Sequence, residues 1–95
     1  TAAGFARLGL QAACVARFGD DVFGKFVLDD LERENFEKKY LIQKKGDHTD
    51  YSTILVNPDG SRIILVYRGK TRIDEDIFPW QALEETKYLY IASLE

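Results

Sequence analysis

The sequence predicts an α/β fold, with a β-hairpin projecting from a sheet flanked by helices. Three observations carry this reading. A short apolar run at residues 12–18 sits between two helical patterns. Two β-branched and aromatic segments, at 51–56 and 62–67, flank Asn57-Pro58-Asp59-Gly60, a strong hairpin signal. A final apolar run at 87–93 follows another short helical pattern. Strands that alternate with helices favour one sheet covered by helices. The hairpin interrupts that alternation and so reads as an insertion, where a lid or a dimer contact belongs.

Each element has a local reason. Residues 1–8 carry the pattern of a helix end: Ala3, Phe5, Ala6 and Leu8 can share an apolar face, and Gly9 supplies a left-handed stop. Residues 12–18 are apolar and bounded by polar and glycine residues, which suits a strand buried on both faces. Gly19-Asp20-Asp21 is read as a turn that launches the next helix, with Asp20 or Asp21 as its cap. That helix is expected over residues 22–35. Phe23, Phe26, Val27 and Leu31 recur three to four apart, with acids and bases on the other face. A short strand is expected at 40–43. In the hairpin, Pro58 presets φ for a type I turn and Gly60 accepts φ > 0. A polar connection at 74–78, a short helix at 80–86 and a buried strand at 87–93 complete the order.

The bulk numbers exclude several classes. Ninety-five residues allow one small domain or a piece of a larger one. The net charge of −3 gives no electrostatic reason to bind nucleic acid or an anionic membrane. Apolar runs fall well short of the ~20 residues needed to cross a bilayer. A single cysteine rules out an intrachain disulfide and suits a reducing, cytoplasmic compartment. There is no Met, and the sequence opens inside a helical pattern, so a piece of a longer chain is expected.

The spacing of Ala2, Gly9 and Gly19 resembles the first signature of the PfkB (ribokinase-like) carbohydrate kinases. In that signature an Asn stands two residues before a small residue, six residues precede a Gly, and nine more precede another Gly. Here the Asn would fall one position before Thr1. Arg7-Leu8-Gly9, Gly19-Asp20-Asp21, Phe23-Gly24, the hairpin and the closing run from Tyr88 also match the family pattern in order. The resemblance implies part of a three-layer sandwich: residues 1–95 as the N-terminal part of the domain, with 49–69 as a β-lid. It implies transfer of the ATP γ-phosphoryl to a sugar hydroxyl, with Mg²⁺ on the nucleotide and a sugar or sugar acid as partner. Lids of this family often pair, which implies a homodimer. The family's catalytic Asp lies in a Gly-Ala-Gly-Asp-like motif late in the full chain. Gly19-Asp20 and Gly46-Asp47 lack the preceding glycine, and no Walker-type phosphate loop is present. No catalytic or nucleotide-binding residue is therefore placed here, and the 95 residues alone are expected to be inactive.

The resemblance places sugar contacts on the lid. Aligned by the hairpin turn, Ser52 and Ile54 fall on sugar-facing positions; Ile54 as plain core is the competing reading. Val66-Tyr67-Arg68 resembles the Tyr-Tyr-Arg run of 2-keto-3-deoxygluconate kinases, in which the Arg holds the substrate's acidic group. A guanidinium matches a carboxylate with two N–H donors; a solvated strand-end arginine is the alternative. Glu95 falls where ribokinase places a sugar-binding Glu, or is simply the start of a helix. Other candidates have plainer readings. His48, the single histidine, belongs to a solvated loop, and Cys14 is a packed thiol. Capping explains Asp20 and Asp21 better than metal binding does. Trp80 is a packing anchor, and the lysine pairs 38–39 and 44–45 are too sparse for a nucleic-acid patch. A reading of another class also stands: a non-catalytic α/β piece whose hairpin mediates dimerisation.

Overall fold

The computed structural model describes residues 1–92. Its elements are α1 (Ala2–Arg7), β1 (Ala16–Gly19), α2 (Val22–Leu31), β2 (Leu41–Lys44), β3 (Tyr51–Val56), β4 (Arg62–Tyr67) and α3 (Trp80–Glu84). Gly9 stops α1 with φ 86°, the left-handed conformation that glycine adopts without steric cost. β1 and β2 pair in parallel, Ala16 opposite Leu41 through Gly19 opposite Lys44. Parallel strands need a crossover, and α2 supplies it, giving one β-α-β unit. Phe18 (3% exposed) and Phe36 (7%) form its apolar centre. Burying a side chain of that size contributes roughly 1.5–3 kcal/mol.

β3 and β4 form a separate antiparallel pair, Tyr51 opposite Tyr67 through Val56 opposite Arg62. Both strands match the residues expected from sequence. The turn closes through Gly60 N–H donating to Asn57 O (2.9 Å), with Gly60 at φ 85°. Asp59 accepts from the Ser61 amide (2.9 Å) and hydroxyl (2.7 Å), which finishes the turn with local bonds. The side chains of both strands are exposed among the described residues.

Four expectations need correction. The strand expected at 12–18 is regular only over Ala16–Gly19, preceded by an isolated bridge between Ala13 and Glu37. A strand is as long as its partner allows, and β2 offers four residues. Only Phe18 and Gly19 of this segment are buried, so it is not enclosed on both faces. The helix expected to reach residue 35 ends at Leu31. Arg33 and Glu34 turn more tightly, donating three residues back to Asp30 and Leu31, and Glu34 is drawn into an ion pair with Arg7. The run at 87–93 forms no strand over residues 87–92, because no described strand lies beside it to complete a ladder; residue 93 lies outside the described residues. The last helix spans Trp80–Glu84 rather than 80–86.

Candidate functional site

The root of the hairpin meets the β-α-β unit at one polar junction. Asp21 is the residue that caps α2: its Oδ1 accepts from the Gly24 amide at 2.9 Å. The same carboxylate accepts from the Thr49 hydroxyl (2.7 Å) and the Thr49 amide (3.1 Å). The Thr49 hydroxyl in turn accepts from the Gly19 amide at 3.0 Å. The Thr49 hydroxyl, foremost, and the Gly24 amide hold the Asp21 carboxyl below the usual range. Asp20 turns the other way and accepts from the Gly46 amide (2.9 Å). Asp47 is also held low, first by the His48 amide at 2.8 Å, then by the Lys70 amide and Lys44. Carboxylates stabilised in this way are weak bases, so Asp21 and Asp47 serve here as acceptors that fix loops.

Glycine lets the segments approach. A Cβ on Gly19 would lie 2.2 Å from the Asp47 carbonyl oxygen, and one on Gly69 would lie 2.1 Å from that of His48. Gly19, expected as the first residue of the turn into α2, is thus the last residue of β1 and a close-approach position. Asp50 ties the returning strand, accepting from the Gly69 amide (2.6 Å) and the Thr71 hydroxyl (3.2 Å). Aromatic rings extend the junction: Phe23 of α2 stacks on Tyr51 (4.7 Å), and Tyr51 stacks on Tyr67 (5.2 Å).

The sequence-derived contacts separate into two places. Ser52 lies opposite Val66 and Ile54 opposite Ile64, on one face of the hairpin by the alternation of side chains. Ile54 is 53% exposed, so among the described residues it is not core. Arg68 lies just past β4, with a guanidinium nitrogen 3.6 Å from Asp50. It lines an open cleft of about 450 Å³ at the root together with Lys44, His48, Tyr67 and Lys70. Glu95 lies outside the described residues. His48 is largely exposed, its Nδ1 3.7 Å from Asp21 and its ring edge-on to Tyr67. Cys14 is half-buried, and that burial raises its thiol pKa. Trp80 is a weaker anchor than expected: it is exposed, packs on Phe78 at 4.7 Å, and donates from Nε1 to the Glu75 carbonyl. Thr49, Asp50 and Gly69 escaped the sequence reading. A signal existed in Thr49-Asp50, two short polar side chains directly before a strand, yet their partners lie 18 to 30 residues away.

Among the described residues no cluster of three or more His, Cys, Asp or Glu side chains could hold a metal ion, and no helix is long and apolar enough to cross a membrane.

The model of the pfkB family carbohydrate kinases matches residues 1–95. Ribokinase of Mus musculus is 33% identical over 67% of this chain and 20% of its own length. A putative sugar kinase of Pyrococcus horikoshii is 24% identical over 98% of this chain and 30% of its own length. The crystal structure of the latter superposes with a TM-score of 0.75, covering 90% of this chain and 29% of its own. Fructokinase of Halothermothrix orenii, 28% identical, superposes with a TM-score of 0.67 over 82% of this chain and 29% of its own. The chain spans between 20% and 30% of the length of these curated relatives.

Proposed function

This chain belongs to the pfkB family of carbohydrate kinases and has their α/β fold, and from that premise we propose that the whole protein transfers the γ-phosphoryl of ATP to a hydroxyl of a sugar or sugar acid. The observation that carries the proposal is the hairpin rooted on the β-α-β unit, with Ser52 and Ile54 exposed on one face and Arg68 at its base. In this reading residues 49–69 are a lid over the acceptor. Ser52 offers a hydroxyl to the sugar, Ile54 covers its apolar face, and Arg68 meets an acidic group. Glu95 is a further acceptor contact. The lid orients the hydroxyl and excludes water. ATP with Mg²⁺ supplies the phosphoryl group and the charge neutralisation. The groups that would hold them are assigned to the remainder of the whole protein, so the 95 residues alone are inactive. The single Cys14 suits a reducing cytoplasmic compartment.

The test is ADP release by the full-length protein with Mg²⁺–ATP and a panel of neutral sugars, sugar acids and nucleosides. We expect turnover with at least one acceptor; none with any would overturn the kinase reading. For a sugar acid, Arg68→Ala is expected to raise acceptor KM roughly ten- to a hundredfold, the loss of one charge-assisted bond. A neutral acceptor should change less than about twofold. An equal effect on both would remove Arg68 from the acceptor site.

A second reading, association of two copies through the hairpin, is favoured by its opposite face. Leu55, Ile63 and Leu65 are each more than half exposed there, and each strand has one open edge. Sedimentation of the full-length protein should show a dimer that dissociates with Ile63→Lys and Leu65→Lys combined. A dimer unaffected by that pair would exclude this face.

A further inference from the structure

We propose that Asp21 and Thr49 are positioning residues that fix the seat of the hairpin on α2, and through it the pose of the acceptor under the lid. The acceptor part of this proposal rests on the kinase reading above; the seat itself does not.

Capping α2 needs only the bond from the Gly24 amide to Asp21. The carboxylate takes two more donors, both from Thr49 and both from 28 residues away. Thr49 is 7% exposed, and its hydroxyl uses both of its capacities: it donates to Asp21 and accepts from the Gly19 amide. The end of β1, the first turn of α2 and the lead into β3 therefore meet at one acceptor and one hydroxyl. Two independent features reinforce the joint. The backbone at 47–48 is confined between Gly19 on one side and Gly69 on the other, where a Cβ on either would collide with carbonyl oxygen. The stack of Phe23, Tyr51 and Tyr67 binds the first residue of β3 and the last of β4 to α2.

Ser52 lies three residues beyond Thr49 and directly after the stacked Tyr51. An angular slip at the seat reaches Ser52 and Ile54 undamped and grows along the arm. A six-residue strand is roughly 20 Å long, so a tilt of about 5° at the root moves its tip by about 2 Å and Ile54, a little past its middle, by about 1 Å. Displacements near 1 Å can cost on the order of a hundredfold in rate where an acceptor must be aligned.

The test compares Thr49→Val, which keeps the shape and loses the hydroxyl, with Thr49→Ser, which keeps the hydroxyl, both in the full-length protein. Amide hydrogen exchange of residues 49–69 should quicken about tenfold or more in the valine variant, with β2 changing less than about twofold. The serine variant should stay near wild type. Acceptor KM should rise about tenfold in the valine variant, with the KM for ATP within about twofold. Unchanged hairpin exchange, equal acceleration in β2, an unchanged acceptor KM or an equal rise in both KM values would overturn the proposal. A wild-type protein that phosphorylates no acceptor sinks the kinase reading and the acceptor part with it, while the exchange comparison still decides the seat.

Discussion

Gly24→Ala is expected to destabilise the protein by about 3 kcal/mol, although helix propensity alone favours alanine by about 1 kcal/mol. Gly24 is a buried residue in the first turn of α2. A Cβ there would lie 2.0 Å from the Gly19 carbonyl oxygen and 3.0 Å from the Thr49 hydroxyl. Neither can move without disturbing the Asp21–Thr49 joint, because Gly19 and Thr49 are bonded to each other. Gly4 in α1 is the control: a Cβ there meets nothing within 4 Å, so Gly4→Ala should be neutral or stabilising by up to about 1 kcal/mol. Urea denaturation of the two variants should separate them in sign. A stabilised Gly24→Ala protein would show that the contact between β1 and α2 is looser than described.

The second large effect is acid lability centred on the same joint. Asp21 and Asp47 both have carboxyl groups held below their ordinary value of 3.8 by amides and, for Asp21, foremost by the Thr49 hydroxyl. The unfolded chain binds protons more readily at these sites than the folded one. Their stabilisation is therefore fully present above that ordinary value and is lost as pH falls through the lowered folded values. Melting temperature should stay level toward neutral pH on account of these two groups and drop as the solution is acidified below about pH 4. Asp21→Asn keeps one oxygen for the Gly24 amide and the Thr49 hydroxyl but sets an NH2 donor against the Thr49 amide in place of Oδ2, so it should lower the melting temperature by several degrees at pH 7 and flatten the acid limb. An acid limb as steep in Asp21→Asn as in the wild type would assign the lability to other carboxyls.

The parts legible in the sequence were those decided by neighbours in the chain. Asn57-Pro58-Asp59-Gly60 closes its turn with bonds no more than four residues apart, so β3 and β4 could be read to the residue. Gly9 acts within one turn and was equally readable, while the cap of α2 was narrowed to Asp20 or Asp21 and falls on Asp21. The far end of α2 was not, because Glu34 is drawn toward Arg7 and the chain tightens after Leu31. Residues 87–92 have the composition of a strand, but composition cannot provide the neighbour that a ladder requires.

The candidate site divides the same way. Ser52, Ile54 and Arg68 were chosen by resemblance and stand as proposed contacts; the alternation along β3, kept by its register with β4, puts Ser52 and Ile54 on one face. Sequence by itself determined the family, through the Ala2, Gly9 and Gly19 spacing, and the hairpin, through local turn chemistry. Only the tertiary structure decided what Gly19, Gly24 and Gly69 are for, and that Thr49 joins β1 to α2. A glycine required for φ > 0 is marked by its turn neighbours. A glycine required because another backbone passes within contact distance is marked only by that backbone, which reaches Gly19 and Gly69 from more than twenty residues away and Gly24 from Gly19 across the turn.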